Sequence, residues 1–250
     1  MRHHTAVVHT DGPALWPDHK GAAEILALRE TTPALVWEGT YQGNPSPAGG
    51  YTFRREFWSG QHRYHAGELD PLVVARFQSW DTAETAELTS AYSVGITGDI
   101  LRDYRLLIRD VTRDKLTFDV LPSTIEAYAR RWNHDGRLNY ITIEDKSSGK
   151  AANQTLRATS PEWLRSKLSP FQPVGSKEQR AAAAAVWCRN GMVLLPHPGP
   201  DFPWLMDFED ELFAFPQSTY MDQVDAFSQL LLFLENYLAA GHAAAAGRPV

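Results

Sequence analysis

The chain has 250 residues, with 24 lysines and arginines against 30 aspartates and glutamates. The resulting net charge of −6 excludes a surface that draws in nucleic acid as a whole, so any such contact must run through a local patch or through metal ions. Hydrophobic content of 43% and charged content of 22% are ordinary for a globular protein, and the one cysteine, Cys188, excludes an internal disulfide or a cysteine-based zinc centre.

The length suits one large domain or two small ones. No apolar stretch approaches the ~18 residues of a membrane helix, and the N-terminus lacks the apolar core of a secretory signal. Neither G-x-x-x-x-G-K-[ST] nor G-x-G-x-x-G occurs, which argues against a nucleotide hydrolase or a dinucleotide dehydrogenase. H-E-x-x-H and G-x-S-x-G are absent as well.

Residues 1–50 are heavily punctuated by proline and glycine. They hold a short helix over 21–29, a second over 34–41, and then a turn-rich linker ending at Gly50. We read this region as an extension, the remnant of a junction to a larger neighbour. The main domain spans 51–240. Residues 51–58 read as an extended lead-in. A buried strand over 72–80 follows and stops at Asp81. Strands over 90–97 and 104–111 complete an antiparallel meander.

The pattern then predicts a helix over 116–132, started or kinked by Pro122. A strand over 139–144 and a polar turn over 145–149 come next. A helix over 151–158 and a strand over 171–174 follow. Residues 176–189 form a helix that Ser176 caps and Asn190-Gly191 ends. A short extended piece over 192–195, an acidic helix over 203–213 and an amphipathic helix over 221–238 complete the domain. Residues 241–250 read as a disordered tail. The sum is an α/β mixed sheet with antiparallel first three strands and helices on both faces.

Acidic residues recur at element ends. Asp81 closes the first long strand, Glu144 and Asp145 close the strand over 139–144, and Asp222 and Asp225 open the last helix on one face. Gathering such carboxylates is costly unless a hard cation neutralises them, and Mg²⁺ or Mn²⁺ prefers oxygen ligands. Two such ions ~4 Å apart would promote hydrolysis of a phosphodiester. Each acid also has a plain structural explanation. Asp81 could terminate a strand, Asp222 could cap its helix, and Glu144 and Asp145 could form a solvated turn. Asp207, Glu209, Asp210 and Glu211 read as the solvated face of a helix whose Phe208 and Leu212 pack inward.

The runs S-W-D-T-A-E-T, I-E-D-K-S-S-G, S-K-E-Q-R-A and L-F-A-F-P-Q-S-T-Y-M-D-Q-V-D-A-F-S, in this order, resemble the nuclease domain of tailed-phage terminase large subunits. The lead-in W-E-G-T-Y-Q-G-N-P-S-P-A-G-G-Y-T-F-R-R-E-F-W is similar to that family's segment between ATPase and nuclease. The resemblance implies a ribonuclease-H-like (RuvC-like) fold and a DNA-packaging endonuclease that cuts concatemeric double-stranded DNA with two divalent ions. Asp81 matches the first-strand aspartate, Glu144 or Asp145 the second acid with Glu144 preferred, and Asp222 and Asp225 the third. Glu84 matches an auxiliary acid of some relatives. The implied partners are DNA, a separate packaging ATPase, a portal protein and a small terminase, in the cytoplasm of a bacterial host.

Two departures stand out. The ATP-binding half is absent from this sequence. Met221 stands where relatives often have a second adjacent acid, which predicts a weakened second metal site. Lys146, Lys150, Lys177 and Arg180 are candidates for holding DNA phosphates, with solvated charges and an Arg180 ion pair as the plain alternative. Arg102, Arg105, Arg109 and Arg113 interleave with Asp99, Asp103, Asp110 and Asp114 as a mixed surface. His62, His65 and His134 show no ligand spacing. A resolvase or ribonuclease H of the same fold is the rival enzyme, and a non-catalytic packaging-assembly module the rival of another class.

Overall fold

The computed structural model describes residues 21–31, 52–83 and 92–245. The expected helix over 34–41, the linker up to Gly50, Glu84 and residues 246–250 lie outside the described residues.

The apolar, β-branched runs make the sheet. Val73–Asp81 (β2), Ser93–Leu101 (β3) and Leu106–Asp114 (β4) pair antiparallel, with Asp81 opposite Val94 and Val94 opposite Arg113. Leu138–Glu144 (β5) runs parallel to β2, and Leu168–Phe171 (β6) parallel to β5. Val193–Pro196 (β7) pairs parallel with β4 and with the two-residue strand Arg63–Tyr64 (β1). The spatial order is β1-β7-β4-β3-β2-β5-β6, which puts β2 and β3 near the middle. Their burial shows it: every residue of β3 is buried, as is β2 from Ala75 to Trp80.

The helices are Ala22–Thr31 (α1), Leu121–Trp132 (α2), Ser147–Thr159 (α3), Glu162–Arg165 (α4), Lys177–Arg189 (α5), Leu205–Ala214 (α6) and Asp222–Ala245 (α7). They cover both sheet faces. On one face, Phe77, Ile96 and Ile108 pack with Ala181 and Ala184 of α5 and with Phe227, Leu230 and Leu234 of α7. On the other, Trp80, Ile141 and Ile143 pack with Ile125 of α2 and with Ala152 and Leu156 of α3. Trp80 needs a glycine beside it, because a Cβ on Gly95 would lie 2.7 Å from its ring.

Several elements differ from expectation. The lead-in is helical rather than extended, a 3₁₀ turn over Arg55–Trp58. Pro122 starts α2 within its first turn, so residues 116–120 stay outside the helix. The strand expected over 171–174 lies at Leu168–Phe171, at the sheet edge where Pro170 costs no ladder bond. The turn expected over 145–149 is largely the first part of α3. The last helix continues to Ala245, past the expected boundary at 240, because alanine is the strongest helix former.

Two acids read as surface are buried. Asp99 is fully buried and accepts from Arg76 Nε at 2.6 Å, Arg76 Nη2 at 3.1 Å and Arg109 Nε at 2.7 Å. Glu211, expected on a solvated helix face, is buried too. An acid is tolerated inside when donors replace its water, and both have them.

Candidate active site

Parallel pairing of β2 and β5 places Trp80 opposite Ile143, so the next residues, Asp81 and Glu144, leave the sheet side by side. The two carboxyl groups come within hydrogen-bonding reach of each other. Asp81 sits on the central strand at a C-terminal edge, where an α/β sheet opens to ligands.

The end of β5 depends on small residues after it. A Cβ on Gly149 would lie only 2.0 Å from the Glu144 carbonyl oxygen, so α3 can start this close to β5 only through glycine. The neighbouring Ser148 Oγ donates to the Ala83 carbonyl at 2.5 Å and lies 2.9 Å from Thr82 Oγ1. These contacts tie the start of α3 to the chain leaving Asp81.

The third component comes from α7, which crosses β2 and β3. Gln229 docks it: Nε2 donates to Ser79 Oγ at 3.0 Å and to the Trp80 carbonyl at 3.1 Å. Asp225 and Asp222, one and two turns earlier on the helix, therefore reach the Asp81 end of the sheet. Asp222 does not cap its own helix. Glu211 does that, accepting from the amides of Gln223 at 2.7 Å and Val224 at 3.3 Å. Asp222 Oδ2 instead accepts from the Tyr92 amide at 3.2 Å.

The electrostatics follow from this crowding. Burial, and then the charges of Asp225, Glu144 and Asp222, hold the Asp81 carboxyl well above the usual carboxylate range. Burial also raises Asp222, against the pull of the Tyr92 amide, Lys177 and Arg113. Asp225 is paired twice, with Arg180 Nη2 at 3.0 Å and with the Lys177 ammonium. Burial opposes the charge on Lys177, yet Asp225, with Asp81 and Asp222 beyond it, raises its pKa above the ordinary lysine value.

The sequence-derived residues thus divide. Asp81, Glu144, Asp222 and Asp225 come together. Asp145 is turned toward β6, where its amide donates to the Phe171 carbonyl at 2.7 Å and its Oδ2 accepts from Gln172 at 3.4 Å. Adjacent residues at a strand end face opposite ways, which separates the two acids. Lys146 pairs with Glu144 at 3.0 Å, and Lys150 is exposed one turn further along. Arg180 is buried and spent on Asp225, so it does not face outward. Glu84 lies outside the described residues.

Sequence reasoning missed Gln229, Tyr92, Ser148, Gly149 and Glu211. Only the Ser-Ser-Gly run after the acid pair carried a local signal.

Among the described residues, no three His, Cys, Asp or Glu side chains converge as a ready metal cage. Mg²⁺, however, is usually held by one or two carboxylates, with waters and substrate phosphates completing its shell. The neighbouring carboxylate oxygens of Asp81 and Glu144 fit that donor set for a hard divalent ion.

The family model described as "Terminase RNaseH-like domain" matches residues 78–233, from β2 into α7, and includes all four clustered acids. No curated protein sequence matches the chain. The large terminase of a thermophilic bacteriophage, in complex with ADP, aligns with a TM-score of 0.51 at 7% identity, over 83% of this chain and 50% of that one. The large terminase nuclease of thermophilic phage G20c with bound zinc aligns with a TM-score of 0.46 at 20% identity, over 62% of this chain and 78% of that one. The same nuclease with bound magnesium gives 0.44 and 18%, over 62% and 81%. At 7% identity the alignment with a TM-score of 0.51 speaks to fold alone, and the ribonuclease-H-like class rests on the family model. By the family match, the chain belongs to the terminase RNaseH-like domain family.

Proposed function

We propose that this chain is a divalent-metal-dependent endodeoxyribonuclease that cuts concatemeric double-stranded DNA during viral genome packaging. The observation that carries the reading is that Asp81 and Glu144 stand side by side at adjacent parallel strand ends, with Asp222 and Asp225 brought to them by α7. A bare acidic cluster repels a phosphodiester, so a cation is needed before DNA can approach. Asp81 and Glu144 would hold Mg²⁺ or Mn²⁺, which supplies an activated water and charge neutralisation at the scissile phosphate.

The chain's own residues orient and support this chemistry. Gly149 and Ser148 fix the direction of Glu144. Gln229 holds the end of β2 and the start of α7 in one frame. The exposed Lys146, paired with Glu144, and the exposed Lys150 would hold the DNA backbone by charge. In the two-ion scheme expected from the motifs, Asp222 and Asp225 would share a second ion with Asp81. The partners proposed are double-stranded DNA, a separate packaging ATPase, a portal protein and a small terminase, in the bacterial cytoplasm. The chain spans half the length of the ADP-bound large terminase.

The test offers supercoiled plasmid, a four-way junction and an RNA–DNA hybrid, each with Mg²⁺ or Mn²⁺. Plasmid cutting that Asp81→Asn abolishes supports the proposal. Cutting of the hybrid alone or the junction alone would replace it with a ribonuclease H or a resolvase. No cleavage with either metal, with retained binding to a packaging partner, would point to an assembly module.

A further inference from the structure

We infer that the Lys177 ammonium, braced by Arg180, stands in for one of the two divalent ions, so that the site takes up a single ion at Asp81 and Glu144. The inference rests on the proposed nuclease reading and changes its metal count.

The geometry of Asp225 is the first ground. Both of its oxygens are taken, Oδ1 by Arg180 Nη2 at 3.0 Å and Oδ2 by the Lys177 ammonium. The side chains of Asp225 and Arg180 are 9% and 8% exposed. With Oδ1 held by Arg180 in a buried pair whose loss would strand a guanidinium, a second ion drawing on Asp225 would have to take Oδ2 from Lys177.

The clamp is also built rather than incidental. Ser176 Oγ accepts from the Gln179 amide at 3.2 Å, and Gln179 Oε1 accepts from the Ser176 amide at 3.0 Å, closing a capping box. That box fixes Lys177 as the first residue of α5. Arg180 Nη1 donates to the Gly175 carbonyl at 3.3 Å, which anchors the guanidinium from its other side. A lysine in the first turn sits at the positive end of the helix dipole, where anions are favoured. Its position is therefore set by the acids across from it, not by its own helix.

Lysine is suited to the part. Its ammonium is a compact point charge with three donors, so with one on Asp225 it keeps others for a phosphate oxygen. At 47% exposure Lys177 is open to that approach. The donor inventory agrees. The residue before Asp222 at the head of α7 is Met221, which offers no oxygen ligand, and among the described residues no three acids converge as a cage. One ion with water and phosphate ligands needs only the Asp81–Glu144 pair.

The experiment counts Mn²⁺ bound by the full chain, by calorimetric titration and by native mass spectrometry, with and without a phosphorothioate duplex. Wild type is expected to bind one ion and Lys177→Met two. Lys177 is half-exposed, so the variant should fold, and the wild-type count decides the matter in any case. Two ions in wild type overturn the inference and leave the nuclease reading intact if metal-dependent cleavage persists. One ion in both proteins also overturns it, because Lys177 would then not be what excludes the second. No ion in wild type overturns the inference, and the nuclease reading falls with it only if metal-stimulated plasmid cleavage is absent too.

Discussion

Gly149 offers a sharp test of how the fold aims Glu144. In Gly149→Ala the new Cβ would sit 2.0 Å from the Glu144 carbonyl oxygen and 3.0 Å from Thr82 Oγ1. The oxygen is backbone, so it cannot rotate away, and either α3 or the end of β5 must move by more than ~1 Å to reach ordinary contact. Overpacking against such a rigid neighbour sits at the upper end of the usual cost, about 3 kcal/mol. Replacing glycine by alanine within a helix returns about 1 kcal/mol. The net is about 2 kcal/mol, or a fall in Tm of roughly 4–8 °C at about 2–4 °C per kcal/mol for a domain of this size. A displacement of about 1 Å at a reacting group can cost ~100-fold in rate. Differential scanning fluorimetry and plasmid cleavage by the folded variant read the two effects. A variant as stable as wild type and equally active would refute the close approach and the role given to it.

Asp81→Asn relieves the like-charge repulsion that burial intensifies, so without metal it should raise Tm while abolishing cleavage. Adding Mg²⁺ should then stabilise wild type, by about 2.7 kcal/mol at a hundredfold excess over Kd, and leave the variant unmoved in the same melt. Glu211 is raised by burial, against the bonds from Gln223 and Val224 and the charge of Arg113. Its protonated form therefore contributes stability below the ordinary glutamate value of 4.5, and that contribution is lost as pH rises through the folded value. In paired melts the Tm of Glu211→Gln relative to wild type should climb as pH rises from about 4 to about 8, and a flat or falling difference would contradict this. Asp99→Asn removes the buried anion of Arg76 and Arg109 and leaves them Asp135 and Asp70, so the cost falls at the low end for a broken buried pair, about 3 kcal/mol, or roughly 6–12 °C in Tm. Asp99 lies five residues along β3 from Val94, the residue opposite Asp81, or about 17 Å, so cleavage by the folded variant in the cold should be unchanged.

Much of the sheet was legible because its strands are continuous apolar runs, and one helix, α5, carries a clear cap. Ser176 and the closing Asn190-Gly191 announced α5, and the apolar run ending at Asp81 announced β2. The fate of individual acids was not legible, because their partners are distant in sequence. Asp99 meets Arg76 across 23 residues and Glu211 meets Gln223 across 12, so both looked like surface charges. The same gap hid that Glu211 caps α7 and so frees Asp222. Sequence reasoning preferred Glu144 but kept Asp145 beside it, and only the strand end shows which way each faces. Gln229 reaches Ser79 across 150 residues, and no local pattern marks such a contact.

The central claim is that Asp81 and Glu144 together hold the divalent ion. Anomalous scattering at the manganese edge, from crystals of the full chain soaked in Mn²⁺, tests it most directly. The account predicts a peak bound by both the Asp81 and the Glu144 carboxylates, with the Lys177–Asp225 pair intact. A peak bound elsewhere, or none at saturating Mn²⁺, would contradict it.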